Sequence, residues 1–193
     1  MEQFFFYLRQ GFEHITDVEG LDHIVFIVTL CAVFSHRQWR HLLILVTAFT
    51  IGHSVSLALA ALSIVAIDAQ LVETLIPVTI LLTSIYNVSA KGAQTGRLRA
   101  NYALALGFGL IHGMGFSNFF SAMMMGIGES VILPLFSFNL GIELGQLIIV
   151  SVMLLVSFCC GRYLGIRHRD WNIYISGAGG GIAATMIVHA LIS

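Results

Sequence analysis

The chain has 193 residues, of which 58% are hydrophobic and only 10% are charged, and its mean hydropathy is +0.91. A soluble domain is typically about 25% charged, and a soluble chain of this length could not bury so much apolar surface in one core. The composition therefore excludes disorder, a fibrous repeat and an ordinary soluble fold. It predicts one integral membrane domain over residues 1–193. The net charge of −1 leaves no basic stripe that could hold nucleic acid.

Long apolar runs predict an all-α fold, a polytopic membrane bundle of about six transmembrane helices. A helix needs about 20 mostly apolar residues to cross a bilayer, and the alternating pattern of a membrane barrel is absent from the sequence. The predicted spans, in chain order, cover residues 20–35, 41–67, 71–90, 100–120, 130–160 and 171–192. The first is short. The fifth is longer than one crossing needs, so we expect it to be tilted, kinked or partly outside the lipid.

The basic residues predict how the bundle is oriented. All but Arg9 follow the first, third or fifth span; they are Arg37, Arg40, Lys91, Arg97, Arg99, Arg162, Arg167 and Arg169. Loops rich in Lys and Arg stay on the cytoplasmic side. We therefore expect these three loops in the cytoplasm and both termini in the periplasm, as in a multi-pass protein of the bacterial inner (cytoplasmic) membrane.

Ionisable side chains within or beside the predicted spans are the candidate functional residues. Such groups are costly in lipid and by default indicate function. They come from several different spans, and in the predicted threading most fall in the outer half of the bundle. The candidate metal ligands are His14, Asp22, His23, His53, His112, Glu143 and His189.

Imidazole and carboxylate groups are ligands that suit Ni, Co, Zn and Fe, so the sequence predicts an intramembrane site for one such divalent transition metal. Thr50 lies on the same helix face as His53, and Asn139, Glu143 and Gln146 form one polar stripe. We predict that Thr50, Asn139 and Gln146 orient the ligands from a second layer. A proton relay without metal is the alternative, because chains of Asp, Glu and His also carry protons.

Glycines predict where helices approach one another closely. Gly109, Gly113 and Gly115 surround His112, and the run GAGGG covers residues 177–181. Small residues at these positions let neighbouring backbones come together. Glycine-rich helices would equally allow two copies of the chain to pair as a homo-oligomer.

Four segments together resemble the HupE/UreJ family of small bacterial membrane proteins, particularly the branch related to the urease accessory protein. They are GFEHITDVEGLDHIVFIV, TAFTIGHSVSLALA, GFGLIHGMGF and FNLGIELGQL. The resemblance covers nearly the whole chain in the right order. It implies a nickel or cobalt permease associated with hydrogenase and urease maturation. The family's functional residues carry over onto Asp22 and His23, with His14 upstream, and onto His53, His112 and Glu143.

The residues alone leave three classes of function open. The first is a permease driven by the membrane potential, because the sequence contains no nucleotide-binding motif. The second is an intramembrane metalloenzyme, a hydrolase or oxidase, in which the same cluster holds a metal permanently and Asp22 or Glu143 serves as ligand or general base. A metal-binding partner that delivers ions without transport is a third reading.

Overall fold

The computed structural model describes residues 1–18, 20–62, 64–65, 68–89, 98–124 and 131–192. Within these ranges the chain forms helices and their connections, which confirms the predicted all-α class. A short 3₁₀ turn, His36–Gln38, precedes the third helix. The helices are α1 (Glu2–Thr16), α2 (Leu21–Ala32), α3 (Trp39–Ala61), α4 (Ala69–Ser89), α5 (Leu98–Met124), α6 (Ile132–Tyr163) and α7 (His168–Ile192).

Four of the described helical segments are long and apolar enough to cross a bilayer. They are His36–Ala61, Ala69–Ser89, Ile132–Tyr163 and His168–Ile192. Large apolar side chains on their outer faces, such as Ile44, Leu82 and Leu155, are exposed. Apolar residues turned away from a protein core need an apolar surrounding, so these helices support a membrane protein. The α5 helix coincides in position with the fourth predicted span.

The first predicted span, residues 20–35, differs most from the structure. Here α2 has 12 residues, about 18 Å of helix, which is shorter than the apolar core of a bilayer. A helix outside the predicted spans, α1, precedes it. Gly11 of α1 packs on the backbone of Phe138, and Gly141 of α6 packs on that of Leu8. These glycine contacts bring α1 directly against the first half of α6.

Together α1 and α2 form a discontinuous helix beside α6. Gly145, further along α6, packs on Ile15 near the end of α1, so the two helices run parallel. His36, just after α2, contacts Phe158 near the end of α6. The two short helices therefore follow most of α6 in one direction, interrupted at residues 17–20. The interruption leaves helix ends inside the bundle, with His14 in the last turn of α1 and His23 in the first turn of α2.

The α3 and α5 helices pack with their backbones in close contact. A Cβ atom at Gly109 would overlap the carbonyl oxygen of Phe49, and one at Gly113 would clash with the backbone of His53. The contacts advance in the same order along both helices, so α3 and α5 are parallel. This confirms the close approach predicted around His112. It also carries His53 and His112 to similar depth on adjacent helices.

The glycine run of α7 packs closely on neighbouring helices at two of its positions, where it meets side chains and not the backbone that the sequence predicted. Gly179 packs against the side chain of Thr29, and Gly180 against that of Ser84. Gly177 and Gly181 have no atom within 4 Å of the Cβ that a larger residue would add. The run therefore joins α7 to α2 and α4 on one face only. Pairing of two copies through this helix stays a prediction.

Two of the three basic connections lie at one end of the bundle. His168, at the start of α7, lies with its Nε2 atom 3.1 Å from the carbonyl oxygen of Val33. This contact joins the connection after α2, which carries Arg37, to the connection after α6, which carries Arg167. The third predicted basic loop, residues 91–97, lies outside the described residues, and the side chain of Arg99 does as well.

Candidate metal site

Three histidines from three helices meet in the interior. His14 comes from the last turn of α1, His23 from the first turn of α2 and His53 from the middle of α3. One ring nitrogen of each lies within 4.8 Å of those of the other two. The ring centroids of His14 and His23 are 4.7 Å apart, and that of His53 is 5.8 and 5.9 Å from them. This spacing allows all three rings to reach one ion.

His112 of α5 stands beside these three. Its ring centroid lies 5.2 Å from that of His23, and its side chain is fully buried. The tertiary fold therefore brings together four residues that the sequence predicted as ligands. We call them the histidine group: His14, His23, His53 and His112.

The histidine group contains buried ring nitrogens without hydrogen-bond partners among the described residues. Within the described residues, the Nε2 atoms of His14 and His23, both ring nitrogens of His53 and the Nδ1 atom of His112 lack hydrogen-bond partners. Leaving a buried polar atom unpaired costs roughly 1–3 kcal/mol. A concentration of such atoms at one place points to a ligand that pairs with them.

Asp22 determines which nitrogen of His23 can bind a ligand. The His23 Nδ1 atom lies 3.0 Å from Oδ1 of Asp22. A carboxylate only accepts hydrogen bonds, so Nδ1 carries the proton and donates it. The Nε2 atom of His23 is then left with a free lone pair. A carboxylate behind a histidine is the usual arrangement around metal ligands, because it orients the ring and makes it more basic.

Thr79 determines which ring nitrogen of His112 carries the proton. The Thr79 hydroxyl donates to the carbonyl oxygen of Ile76 at 2.7 Å, so its one proton is engaged. Its oxygen must then accept from the Nε2 atom of His112, which lies 3.2 Å away. The proton on Nε2 leaves the lone pair on Nδ1, the nitrogen without a partner. Two residues of the group are therefore held in the tautomer that can bind a cation.

Aromatic rings enclose the histidine group. The ring centroid of Phe116 lies 3.9 Å from that of His14, and Phe26 lies 4.9 Å from His112. Phe26 and Phe49 stack at 5.0 Å and are buried. Such walls exclude water and lower the local dielectric constant, which strengthens each interaction between a ligand nitrogen and a cation.

A cleft of about 220 Å³ leads to the group. It is lined by His14, His23 and His112 and also by the carboxylates Asp17, Asp22 and Glu73. Asp22 is partly buried and Glu73 is exposed. Negative charges around a narrow mouth raise the local concentration of cations. The site is thus accessible from the side on which α4 begins.

The polar stripe of α6 faces α3, as Glu143 and Gln146 show. The Thr47 hydroxyl donates to Oε1 of Glu143 at 2.7 Å. The Thr50 hydroxyl lies 2.7 Å from Oε1 of Gln146. The Oε1 atom of Glu143 is thereby paired with a threonine, whereas its buried Oε2 atom has no hydrogen-bond partner within the described residues. Glu143 is not among the three clustered residues. The stripe joins two helices next to His53.

Asn139 and His189 make no contact with the histidine group among the hydrogen bonds of the described residues. Asn139 donates from Nδ2 to the carbonyl oxygen of Leu135 in its own helix, at 2.7 Å. His189 is exposed near the end of α7. Neither belongs to the histidine group in this structure.

Sequence reasoning missed Thr79, Phe26, Phe49 and Phe116. Thr79 lies in an apolar span without any charged neighbour, and threonine is common in membrane helices because it bonds its own backbone. Phenylalanines are the expected filling of any apolar helix. A signal for Thr79 exists only in the register of α4 against α5, which the sequence does not contain.

The comparison with known families covers every residue of the site. The family model described as HupE / UreJ protein matches residues 1–191. All four members of the histidine group, and Asp22 and Thr79 behind them, fall within that range. No match was found among curated proteins or among solved structures.

Proposed function

Because the chain belongs to the HupE/UreJ family, we propose that it is an inner-membrane permease for a divalent transition-metal ion, nickel or cobalt. The family is associated with transport of these metals or with accessory functions around them. The observation that carries the proposal is the histidine group: ring nitrogens of His14, His23 and His53 lie within 4.8 Å of one another, and His112 stands beside them with an unpartnered Nδ1 atom. In this proposal the metal is the substrate.

The ligand chemistry suits an ion that must bind and leave. Neutral imidazole binds Ni, Co, Zn and Fe ions and adds no negative charge that would trap them. Asp22 stays behind His23, where it supports the ring at a distance from the ion. The proposed ligand set is therefore the histidine group alone. It is narrower than the set predicted from sequence, since Asp22, Glu143 and His189 are outside it.

We propose six crossings with both termini in the periplasm. The α1–α2 pair makes one discontinuous crossing, and α3 to α7 make the other five. Discontinuous helices with a binding site at the break recur in membrane transporters, because only protein-lined backbone can be irregular at that depth. Arg37 and Arg167 at one end of the bundle support a cytoplasmic location for that end.

The route begins at the acidic mouth and ends at an aromatic barrier. Asp22 and Glu73 line the cleft that leads to the histidine group, and the stacked rings of Phe26 and Phe49 lie on its far side. Passage requires these rings to move. An inside-negative potential supplies about 2.3 kcal/mol per charge per 100 mV, so a divalent ion gains roughly twice that.

Uptake of radioactive nickel or cobalt into proteoliposomes tests the proposal. With an inside-negative potential and no ATP, the wild-type chain should accumulate the ion. His53→Gln should abolish uptake and weaken metal binding by at least tenfold, a typical effect of disturbing a metal site. His36→Gln is the matched control, because His36 is an exposed histidine outside the group. Gel filtration of both variants checks the fold.

The result also separates the alternatives. Protein that binds metal stoichiometrically but moves no ion at any potential would contradict a permease. The intramembrane metalloenzyme would then be favoured, with the histidine group as permanent ligands. Equal loss of uptake in His36→Gln and His53→Gln, with both proteins folded, would remove the histidine group from the mechanism.

A further inference from the structure

A second cavity lies at the basic end of the bundle. Its volume is about 300 Å³, and it opens between the connection after α2, the end of α6 and the start of α7. His36, Arg162 and His168 line it together with Trp171 and Phe158. It shares no residue with the histidine group or its acidic mouth, and it does not depend on the proposed metal transport.

The charges around this cavity have one sign. No carboxylate is among its lining residues. Arg162 makes no hydrogen bond or ion pair with any residue that the structure describes, whereas neighbouring Arg167 is held by Asp170 through two bonds of 2.8 and 3.1 Å. The guanidinium of Arg162 therefore has its donors available. A guanidinium group matches the geometry of phosphate oxygens.

The apolar part of the cavity places it at the membrane interface. Phe158 and Ile166 form part of its wall, and the His36 and Phe158 rings are 5.3 Å apart. Trp171 lines it one turn into α7. Tryptophans concentrate where the headgroups meet the acyl chains, and Trp39, the other tryptophan of the chain, lies at this same end, beside Arg40. A cationic rim over an apolar wall complements a phospholipid.

We infer that this cavity binds the phosphate headgroup of an anionic phospholipid. Arg162 provides the charged contact and His36 a further donor. The part of the acyl chain next to the headgroup lies against Phe158 and Ile166. Basic pockets between membrane helices on the cytoplasmic side recognise such headgroups. The bound lipid joins the α2–α3 connection to the α6–α7 connection.

Lipid binding to the purified full-length chain tests this inference. Native mass spectrometry and thermal unfolding in detergent would compare phosphatidylglycerol, phosphatidylcholine and inorganic phosphate. We expect phosphatidylglycerol alone to bind and to raise the melting temperature. Arg162→Gln should weaken its binding roughly tenfold, as loss of charge-assisted hydrogen bonds does. Arg37→Gln is the matched control, an exposed arginine at the same end that does not line the cavity. It should change binding less than twofold.

Each other outcome overturns the inference. Equal binding of phosphatidylcholine would exclude charge recognition. Equal weakening by Arg162→Gln and Arg37→Gln would mean general attraction to the basic surface. Stabilisation by inorganic phosphate to the same degree would mean a site for free phosphate. If Arg162→Gln does not fold, His36→Gln gives the same comparison, since His36 also lines the cavity, and unchanged binding there would contradict its role.

Discussion

The hydroxyl of Thr79 controls the tautomer of His112. It accepts from His112 because its own proton is donated to Ile76, and so it selects the tautomer of a ligand on another helix. Thr79→Val removes the oxygen and preserves the shape. We expect metal affinity, measured by titration calorimetry, to fall about 10–100-fold, the usual range for residues that orient ligands.

Thr74→Val is the control for Thr79→Val. Thr74 lies on the same helix, and its hydroxyl bonds the carbonyl oxygen of Gln70 within that helix. It should leave the affinity within twofold of wild type, as expected for a surface substitution away from the site. Equal losses in the two variants would mean that α4 itself is disturbed, and an unchanged affinity in Thr79→Val would remove His112 from the ligand set.

Metal binding should depend on pH with a definite sign. A histidine binds a metal through a lone pair, which a proton also occupies. Affinity should therefore be highest above the range in which imidazole takes up a proton and should fall as the pH decreases through it. Equilibrium dialysis with nickel at neutral and mildly acidic pH measures the effect. Constant affinity over this interval would indicate that carboxylates, not imidazoles, hold the ion.

His23, His53 and His112 could be predicted from sequence because an ionisable side chain is costly in an apolar helix, and that cost is visible in the composition of the span. His53 and His112 stand in runs that are otherwise small or apolar. Glu143 has the same signature; its Oε1 atom accepts from Thr47, and its buried Oε2 atom has no partner within the described residues. The cost of a buried polar group shows that a partner is needed. Which partner it finds depends on the neighbours that packing brings close.

At the scale of helices, the α3–α5 contact sets the geometry of the site. Gly109→Ala would push a Cβ into the carbonyl oxygen of Phe49, so the helices would separate or bend. Overpacking of this kind costs about 1–3 kcal/mol. Gly107→Ala, half a turn away on the same helix, meets no atom within 4 Å and should raise stability by about 0.5–1 kcal/mol through better helix propensity. Thermal unfolding in detergent compares the two.

The critical outcome is that the two alanine variants change the stability in opposite directions. Because Gly107 and Gly109 share a helix and receive the same side chain, propensity cancels in the comparison. If both variants were stabilised, the close backbone approach between α3 and α5 would be incorrect. If both were destabilised, α5 would need glycine for its own flexibility.

The α1–α2 pair shows where prediction by span length fails. Each helix is short, and α1 carries the exposed pair Arg9–Glu13 at 2.7 Å, so its apolar content does not resemble a crossing. Its other face buries Tyr7, Gly11 and Ile15. A helix that buries one face on protein does not need an apolar sequence throughout. Only its packing along α6 identifies it as part of the bundle.

For the whole molecule, the testable property is topology. If α1–α2 is one discontinuous crossing and five more follow, reporter fusions within residues 36–38 and 164–167 should both report the cytoplasm. A fusion after Asp68, in the connection before α4, should report the periplasm. The physical reason is that Lys and Arg near helix ends resist transfer across the membrane. Paired alkaline phosphatase and fluorescent protein fusions measure both sides.

Opposite locations for the two basic connections would contradict the structure as well as the topology, because the His168 contact with Val33 holds them together. A cytoplasmic location for Asp68 would instead mean that α3 does not cross. The two errors are distinguishable, since only the second leaves the basic connections on the same side.

The sequence by itself determined the membrane environment, the helical class and the positions of most helices, and it singled out His23, His53 and His112 as candidates, because hydropathy and the cost of buried charge are local properties of composition. The tertiary structure decided which polar residues meet. It aligns α1 and α2 as one discontinuous helix. It also brings the Thr47 hydroxyl to Oε1 of Glu143 and the Thr79 hydroxyl to Nε2 of His112. These pairings depend on helix register and crossing, which are set by glycine contacts between residues distant in the chain.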